Sequence, residues 1–364
     1  MKPPGWAAIA GAAGATVAGV AVGVVARKHH QIVTDRRRLA TQAADGSELQ
    51  PIGEQSSVTA DDGVRLSCEE IEPAAGPAAL TVVLVHGFAL DRRTWHYQRR
   101  SLAQLDTPVV RLVLYDLRSH GDSERASRES CTLEQLGLDL AAVIRTLAPD
   151  GPLVLVGHSM GGMTILALAE QDPALFAERV AGVGLVATSA GEIGTSGLSG
   201  SLLSRRNPLT RSVGLLARLQ PQLVEGVRRA AGDVIWALTR SFAYGDRNVS
   251  PWLVDMVDTM ISRNAVDALT DFVDTVGSHD RIAALPALAD CEVLVAAGDA
   301  DRVIPFTHAE RIAAELPHAE LLRFAGVGHL PMLEQPVIMD EALDDLVQRS
   351  IARVGGSRRD RRRA

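Results

Sequence analysis

Cysteine and aromatic residues are both scarce in this 364-residue sequence. Its three cysteines, Cys68, Cys131 and Cys291, are too few and too far apart for a disulfide framework or a metal cluster, so we predict buried free thiols. Aromatic residues make up 4% of the chain, which argues against an RNA-binding surface built on base stacking. Because no group of histidines, cysteines and carboxylates has the spacing of metal ligands, we expect neither a metal nor a cofactor.

Hydrophobic residues make up 46% of the sequence, which is enough for a sizeable core and predicts a globular protein. The net charge of −7 is unevenly distributed. Residues 1–50 carry +3 and the basic tail at 353–364 carries +5, so residues 51–352 carry −15. An acidic body is a poor partner for nucleic acid, because each phosphate contact needs a cation. We therefore expect no nucleic-acid partner.

Residues 5–26 form a run of 22 residues without a charge. A helix of about 20 apolar residues spans a bilayer, and several cations follow this run whereas only Lys2 precedes it. We therefore predict a membrane anchor within residues 1–30, a polar linker at 31–56 and a cytoplasmic body. Two alternatives stay open: a cleaved signal peptide that exports the protein, or a leader that does neither.

Continuous apolar runs rich in β-branched residues alternate with helical patterns along the body of the chain. Such runs are typical of strands buried on both faces of a parallel sheet, and here they occupy Leu80–Val85, Val109–Tyr115, Leu153–Val156, Val180–Val186, Val293–Ala297 and Glu320–Phe324. Helical patterns lie between them at Leu133–Leu147, Met160–Glu170 and Phe306–Glu315. The alternation predicts an α/β fold with a mostly parallel central sheet flanked by helices, preceded by a hairpin within Ser57–Ile71.

The alternation is interrupted between residues 190 and 285, where a Gly/Ser-rich start is followed by amphipathic helical runs. We predict a helical cap that is inserted into the core and divides it into residues 57–189 and 286–352. Large apolar residues of this insertion, such as Trp236 and Trp252, either line an apolar acyl pocket or pack the cap onto the core. Both interpretations stay open.

The predicted strand Leu153–Val156 leads into Gly157-His158-Ser159-Met160-Gly161, directly before a helical segment. This is the G-x-S-x-G nucleophile elbow in its strand–turn–helix context. A serine on such a sharp turn has a strained backbone, so Gly157 and Gly161, two residues before and after it, must be small. The pattern makes Ser159 the candidate nucleophile.

A serine nucleophile needs a general base, and that base needs an acid to orient it. His329 follows the last predicted strand, and Asp301 follows the strand before it in the chain. We predict that His329 takes the Ser159 proton and later protonates the leaving group. Asp301 would hold the imidazole tautomer and stabilise the imidazolium.

Two backbone N–H groups are needed to stabilise the oxyanion of an acyl-transfer reaction. Met160, which follows the nucleophile, supplies one of them. Phe88 supplies the other, because it lies on the His86-Gly87-Phe88 loop after the strand Leu80–Val85. We expect His86 to pack within this loop rather than to act as a second base.

Five segments, HGFALDRRTW, LYDLRSHGDS, LVGHSMGG, GDADRVIP and GVGHLPMLEQP, together resemble the α/β-hydrolase superfamily. The resemblance covers about residues 57–350 and is strongest to the bacterial serine esterase and lipase-like branch with a helical cap. It implies an α/β-hydrolase fold and places the acid at the last residue of G-x-x-D, which is Asp301 rather than Asp299. The sequence departs from the family at Ser119, where a glycine is usual in a structural loop.

Serine at the elbow argues against the epoxide hydrolases and haloalkane dehalogenases of this superfamily, which use aspartate there. It indicates acyl transfer through an acyl-enzyme, so we predict a carboxylic ester hydrolase acting on an apolar or lipid-like acyl group. An acyltransferase, a thioesterase or a C–C bond hydrolase would use the same triad. A non-catalytic ligand-binding α/β-hydrolase is the alternative from another class.

Overall fold

A computed structural model describes residues 52–73, 76–193, 239–246 and 249–361. In chain order its strands are β1 Glu54–Thr59, β2 Arg65–Ile71, β3 Leu80–Val85, β4 Val110–Tyr115, β5 Leu153–His158, β6 Val180–Val186, β7 Glu292–Gly298 and β8 Glu320–Phe324. Its helices are α1 Gln98–Ala103, α2 Leu133–Leu147, α3 Met160–Gln171, α4 Pro173–Glu178, α5 Pro251–Arg263, α6 Val266–Gly277, α7 Thr307–Glu315, α8 Pro331–Glu334 and α9 Pro336–Arg361.

The strands form one sheet in the order β1-β2-β4-β3-β5-β6-β7-β8. The opening hairpin is antiparallel and joins β4 antiparallel through β2, and the pairs from β4 across to β8 are all parallel. Helices cover both faces, which confirms the predicted mostly parallel central sheet flanked by helices.

Burial on both faces explains why the central strands have continuous apolar sequences. Every residue of β3, β5 and β6 is buried. One face of the sheet packs against α2 and α3 through residues such as Leu140 and Ile165. The other face packs against α9 through residues such as Leu343 and Leu346. A parallel sheet with its connecting helices on both sides needs this pattern, because neither face meets water.

The two helices beneath the elbow form for different reasons. Helix α2 begins at an N-cap, since the Thr132 hydroxyl accepts a hydrogen bond from Gln135 N at 3.1 Å, and it buries only its core-facing side. Helix α3 is buried along its first ten residues, because it lies between the sheet and α2. The helix begins directly after Ser159, so the serine is attached to a helix that is fixed in the core.

The carboxyl ends of the parallel strands meet at one edge of the sheet, and the loops that follow them carry the predicted site residues. The loop after β3 carries Phe88, and the turn after β5 carries Ser159. The loop after β7 carries Asp301, and the loop after β8 carries His329. The topology thus collects residues that are up to 241 positions apart in the chain at one edge.

Part of the predicted cap, residues 194–238, lies outside the described residues. The part of the predicted cap that the structure describes contains α5 and α6, which contribute side chains to the cavity around Ser159. The division of the core at residues 190 and 285 stays a prediction. Helix α9 continues to Arg361 and so enters the segment 353–364 that the sequence predicts as a basic tail.

The predicted membrane localisation is contradicted. None of the helices in the described part of the chain is long and apolar enough to cross a bilayer, and residues 5–26, on which the prediction rested, lie outside that part. The prediction relied on the length of an uncharged run made mostly of Ala and Gly. Small side chains bury little apolar area, so sufficient length does not bring the transfer free energy of a leucine-rich span. The predicted membrane contact and the predicted cytoplasmic location of the body depended on this anchor and are not supported either.

Candidate active site

Ser159 lies between β5 and α3 with a backbone conformation of φ 51° and ψ −117°, which side-chain-bearing residues rarely adopt. Hydrogen bonds to the end of β6 and to the residues just after it help to hold it there. Ser159 N donates to Val186 O at 2.9 Å, and the Thr188 hydroxyl donates to Ser159 O at 2.7 Å. The end of β6 therefore fixes both sides of the serine peptide, and this strained turn presents its hydroxyl to the cavity above the sheet.

The glycines around the elbow are required by close backbone approaches. A Cβ on Gly157 would lie 2.5 Å from the carbonyl of Gly161, and a Cβ on Gly161 would lie 2.3 Å from Val85 O. A Cβ on Gly87 would lie 2.6 Å from His158 Nδ1 and 3.1 Å from the Ser159 Cβ. The loop after β3 can therefore approach Ser159 only because residue 87 has no side chain.

His329 is hydrogen-bonded to a carboxylate that is itself held by the backbone. His329 Nδ1 lies 2.7 Å from Asp301 Oδ2, and the Asp301 side chain is 0% exposed. Asp301 Oδ1 accepts hydrogen bonds from Val303 N at 2.7 Å and Ile304 N at 2.9 Å. Because Nδ1–H donates this hydrogen bond to the carboxylate, Nε2 is left as the acceptor nitrogen of the ring. The arrangement fixes the orientation of the His329 ring.

Asp299, two residues earlier, has different partners. Its Oδ1 accepts a hydrogen bond from Gly326 N at 2.7 Å, and its Oδ2 lies 3.0 Å from a guanidinium nitrogen of Arg323. The bond from Gly326 N, followed by that from Arg323, keeps the pKa of this half-buried carboxyl below its usual value. Asp299 therefore fastens the loop after β8, whereas Asp301 contacts the imidazole.

Ser159 and His329 line one apolar cavity of about 180 Å³. Its other walls come from the loop after β3, from α3, from α5 and α6, and from the loop after β7; the lining side chains include Phe88, Leu90, Met163, Val257, Ile261, Val276 and Ile304. Within the described structure no hydrogen bond joins the two catalytic candidates. Such bonds are commonly long before substrate binds and shorten in the complex.

The two residues whose N–H groups are predicted to bind an oxyanion, Phe88 and Met160, line this cavity. Met160 is the first residue of α3, where backbone N–H groups have no partner within the helix and carry the positive end of its dipole. Phe88 is half-buried on the loop that passes over the elbow. Neither N–H donates a hydrogen bond to any part of the chain that the structure describes. Both are thus available to a ligand oxygen.

Both ring nitrogens of His86 are hydrogen-bonded to backbone groups. Its Nδ1 donates to Gly87 O at 2.8 Å, and its Nε2 accepts from Leu117 N at 2.9 Å. Burial is the main cause that lowers the pKa of His86 to about 3, so the ring is neutral. It joins the loops after β3 and β4.

The sequence predicts no role for three residues near the site: His158, Thr188 and Glu334. The His158 ring donates from Nε2 to His329 O at 2.8 Å, and the two imidazole centroids are 4.8 Å apart. Burial, followed by the neighbouring His329, lowers the pKa of His158 well below its usual value, so it acts as a neutral donor. His158 occupies a variable position of G-x-S-x-G, which is why the motif gave no signal for it.

Buried neutral histidines make the stability of the fold sensitive to acid. Burial lowers the pKa of His120 and of His279 to about 4. An unfolded chain binds these protons below its ordinary histidine pKa of about 6.5, whereas the folded chain does not, so the free energy of unfolding falls as the pH drops from there. Each such group contributes a slope of up to about 1.4 kcal/mol per pH unit, lost progressively until its folded pKa is reached.

We expect His120→Asn to show a shallower loss of stability than the wild type between about pH 6.5 and pH 4 in urea unfolding. Asparagine can replace the donor that His120 Nδ1 presents to Arg118 O, but it does not titrate. Carboxyl groups cancel in the difference between the two proteins. Ser130→Ala, which removes no titrating group, is the control and should keep the wild-type slope. Equal slopes in His120→Asn and wild type would contradict the prediction.

Comparison with known proteins identifies the family of this chain. A family model described as the alpha/beta hydrolase family matches residues 82–342. The chain therefore belongs to the alpha/beta hydrolase family. An uncharacterised hydrolase of Bacillus subtilis is 24% identical over 306 residues, which cover 79% of this chain and 96% of that protein. The predicted superfamily is confirmed, and the protein is a hydrolase.

Solved structures show the same fold. A thermophilic esterase from Thermogutta terrifontis matches with a TM-score of 0.64 and 26% identity, covering 82% of this chain and 99% of the esterase. The enol-lactonase from Burkholderia xenovorans matches with a TM-score of 0.64 and 20% identity, covering 80% of this chain and 99% of the lactonase. The second likeness shows the fold alone.

Proposed function

We propose that this hydrolase cleaves carboxylic esters through an acyl-enzyme, with Ser159 as nucleophile, His329 as general base and acid, and Asp301 as the orienting carboxylate. The observation that carries the proposal is the 2.7 Å hydrogen bond between His329 Nδ1 and Asp301 Oδ2. It leaves Nε2 as the proton acceptor in the cavity that Ser159 also lines. The esterase among the similar structures supports the same reaction class.

The reaction would proceed in two acyl transfers. Ser159 Oγ attacks the ester carbonyl while His329 Nε2 takes its proton, and the N–H groups of Met160 and Phe88 bind the oxyanion of the tetrahedral intermediate. His329 then protonates the leaving alcohol. Water, activated by the same nitrogen, attacks the acyl-enzyme and releases the acid. Each oxyanion donor would lower the barrier by about 3–4 kcal/mol.

The chemistry of the cavity favours an apolar, uncharged acyl group. Its described lining is aliphatic and aromatic apart from Ser159, His158 and His329, and it contains no carboxylate or guanidinium. Burying an unpaired charge in this cavity would be strongly unfavourable, whereas burying an alkyl chain is favourable. We propose that residues 190–285 form the cap that selects the substrate. An acyltransferase, a thioesterase and a C–C bond hydrolase share the triad, and this lining alone does not distinguish them.

The decisive experiment is labelling of the folded protein with a fluorophosphonate probe, followed by peptide mapping. An adduct on Ser159 supports the serine hydrolase, and its absence would indicate a non-catalytic ligand-binding member of the family. Turnover of p-nitrophenyl esters should then be compared with that of thioesters and vinylogous diketones. Preference for either of the last two would replace the ester assignment.

Val257 on α5 lines the cavity and is expected to limit acyl length. Val257→Phe would fill part of the apolar space, so we expect the ratio of kcat/KM for hexanoate over acetate to fall by about tenfold or more, since each methylene in such a pocket is worth about 1–3 kcal/mol. p-Nitrophenyl esters of increasing chain length measure it. Val257→Ala is the matched control and should shift the preference towards longer chains. An equal change for all chain lengths would contradict the assignment.

A further inference from the structure

One carboxylate binds the backbone of two separate loops beside the candidate active site. Glu334 is the last residue of α8 and is half-buried. Its Oε1 accepts a hydrogen bond from Gly328 N at 2.7 Å, one residue before His329. Its Oε2 accepts from Gly245 N at 2.9 Å and from Asp246 N at 3.1 Å. Three N–H donors on one carboxylate form a charge-assisted group of hydrogen bonds.

The two loops are also in direct backbone contact. We name residues 243–246 the return segment, since they precede α5 in the chain. His329 N donates to Ala243 O of this segment at 2.8 Å. A Cβ on Gly245 would lie 2.2 Å from Gly326 O, and a Cβ on Gly328 would lie 2.5 Å from Gly245 N. This approach leaves no room for a side chain at either glycine.

The return segment connects this contact to the wall of the cavity. The Tyr244 hydroxyl donates to Leu253 O in the first turns of α5 at 2.9 Å. Ala243 lines the cavity, as do Val257 and Ile261 further along α5. The helix that faces the substrate and the loop that carries the base are therefore both joined to residues 243–246.

We propose that Glu334 is a positioning residue that holds the His329 loop against the return segment, so that the alignment of His329 Nε2 with Ser159 depends on the segment that leads into α5. This role rests on the proposed function. Asp301 fixes the rotation of the imidazole ring, whereas Glu334 fixes the backbone from which the ring extends. A small displacement of that backbone moves Nε2 out of reach of the serine proton.

Glu334→Gln tests the role, because glutamine keeps the shape but presents an NH₂ group where one carboxylate oxygen accepts N–H bonds. We expect kcat for ester hydrolysis to fall about 10- to 100-fold with KM within about threefold of wild type, since the change affects proton transfer more than substrate binding. Gly245→Ala should give the same separation of kcat from KM by forcing the two loops apart. The double variant should lose less than the product of the two single effects, since both break one contact.

A matched control separates positioning from general destabilisation. Asp139→Asn breaks a buried ion pair with Arg118, at 2.6 Å, that does not line the cavity, and its kcat should stay at the wild-type value under conditions where it is folded. Equal loss of kcat in Asp139→Asn and Glu334→Gln would overturn the positioning role. So would a Glu334→Gln enzyme with wild-type kcat.

Amide hydrogen exchange tests the contact between the two loops without relying on enzymatic activity. Peptides covering residues 243–246 and 326–329 should exchange about tenfold faster or more in Glu334→Gln than in wild type, and Asp139→Asn should leave them unchanged. Unchanged exchange in Glu334→Gln would overturn the contact as a constraint on the loop. A wild-type protein without ester turnover or Ser159 labelling would contradict the proposed function instead, and the exchange result would still decide whether Glu334 holds the loop.

Discussion

Replacing Ser159 by alanine is expected to lower kcat/KM for p-nitrophenyl esters by about 10⁴-fold or more, because no acyl-enzyme can form without the hydroxyl. The fold should be retained, since the hydrogen bonds that hold residue 159 use its backbone N–H and carbonyl and not its side chain. Ester hydrolysis, fluorophosphonate labelling and urea unfolding of the purified variant measure the three parts of this prediction.

Ser130→Ala is a suitable control, because the partially buried Ser130 ends a short 3₁₀ helix before α2 and does not line the cavity. It should keep wild-type turnover and labelling. His329→Ala should be as inactive as Ser159→Ala, since nucleophile and base act as a unit and their effects do not add. Turnover by Ser159→Ala within about tenfold of wild type would contradict the acyl-enzyme mechanism.

The sequence predicts most accurately the bounds of the strands that are buried on both faces. The bounds of β3 and β6 agree with the predicted runs, because a strand buried on both faces must be apolar throughout. The strand β5 extends to His158, two residues beyond its prediction, because Gly157 is usually a sign of a turn. Here that glycine stays in the ladder and makes room for Gly161 instead.

Contacts between distant residues could not be predicted in the same way. The bond from His158 to His329 O joins residues 171 positions apart, and the bonds from Gly245 to Glu334 span 89. Neither has a local pattern. The loops meet only because parallel strands place their carboxyl ends at one edge, so the sheet order must be known before such pairs can be proposed.

The departure at Ser119 has a physical explanation. Ser119 has φ 62°, a conformation that favours the glycine usual in the family. Its hydroxyl accepts a hydrogen bond from Ala126 N at 2.9 Å and so satisfies a buried donor. Such a local bond offsets part of the strain of a side-chain-bearing residue in this region. The loop therefore keeps its shape without the glycine, which the sequence alone does not reveal.

The second large effect is a loss of kcat when Asp301, and not the neighbouring Asp299, is replaced by asparagine. Asp301→Asn is expected to lower kcat by about 10⁴-fold, because an asparagine amide can present an N–H to His329 Nδ1 and favour the tautomer that carries its proton on Nε2. The substitution is not expected to unfold the loop, since the side-chain oxygen that asparagine keeps can accept the bonds that Val303 N and Ile304 N now donate to Asp301 Oδ1.

Asp299→Asn is the matched control, because it makes the same chemical change two residues away. It weakens an ion pair with the solvent-exposed side chain of Arg323, and it keeps an oxygen for Gly326 N. We expect kcat within about threefold of wild type and a small loss of stability. Rates measured at saturating ester, with unfolding followed in parallel, separate the two aspartates. Comparable losses of kcat in both variants would show that the loop after β7 acts as a whole, and that the hydrogen bond from His329 Nδ1 does not by itself identify the catalytic acid.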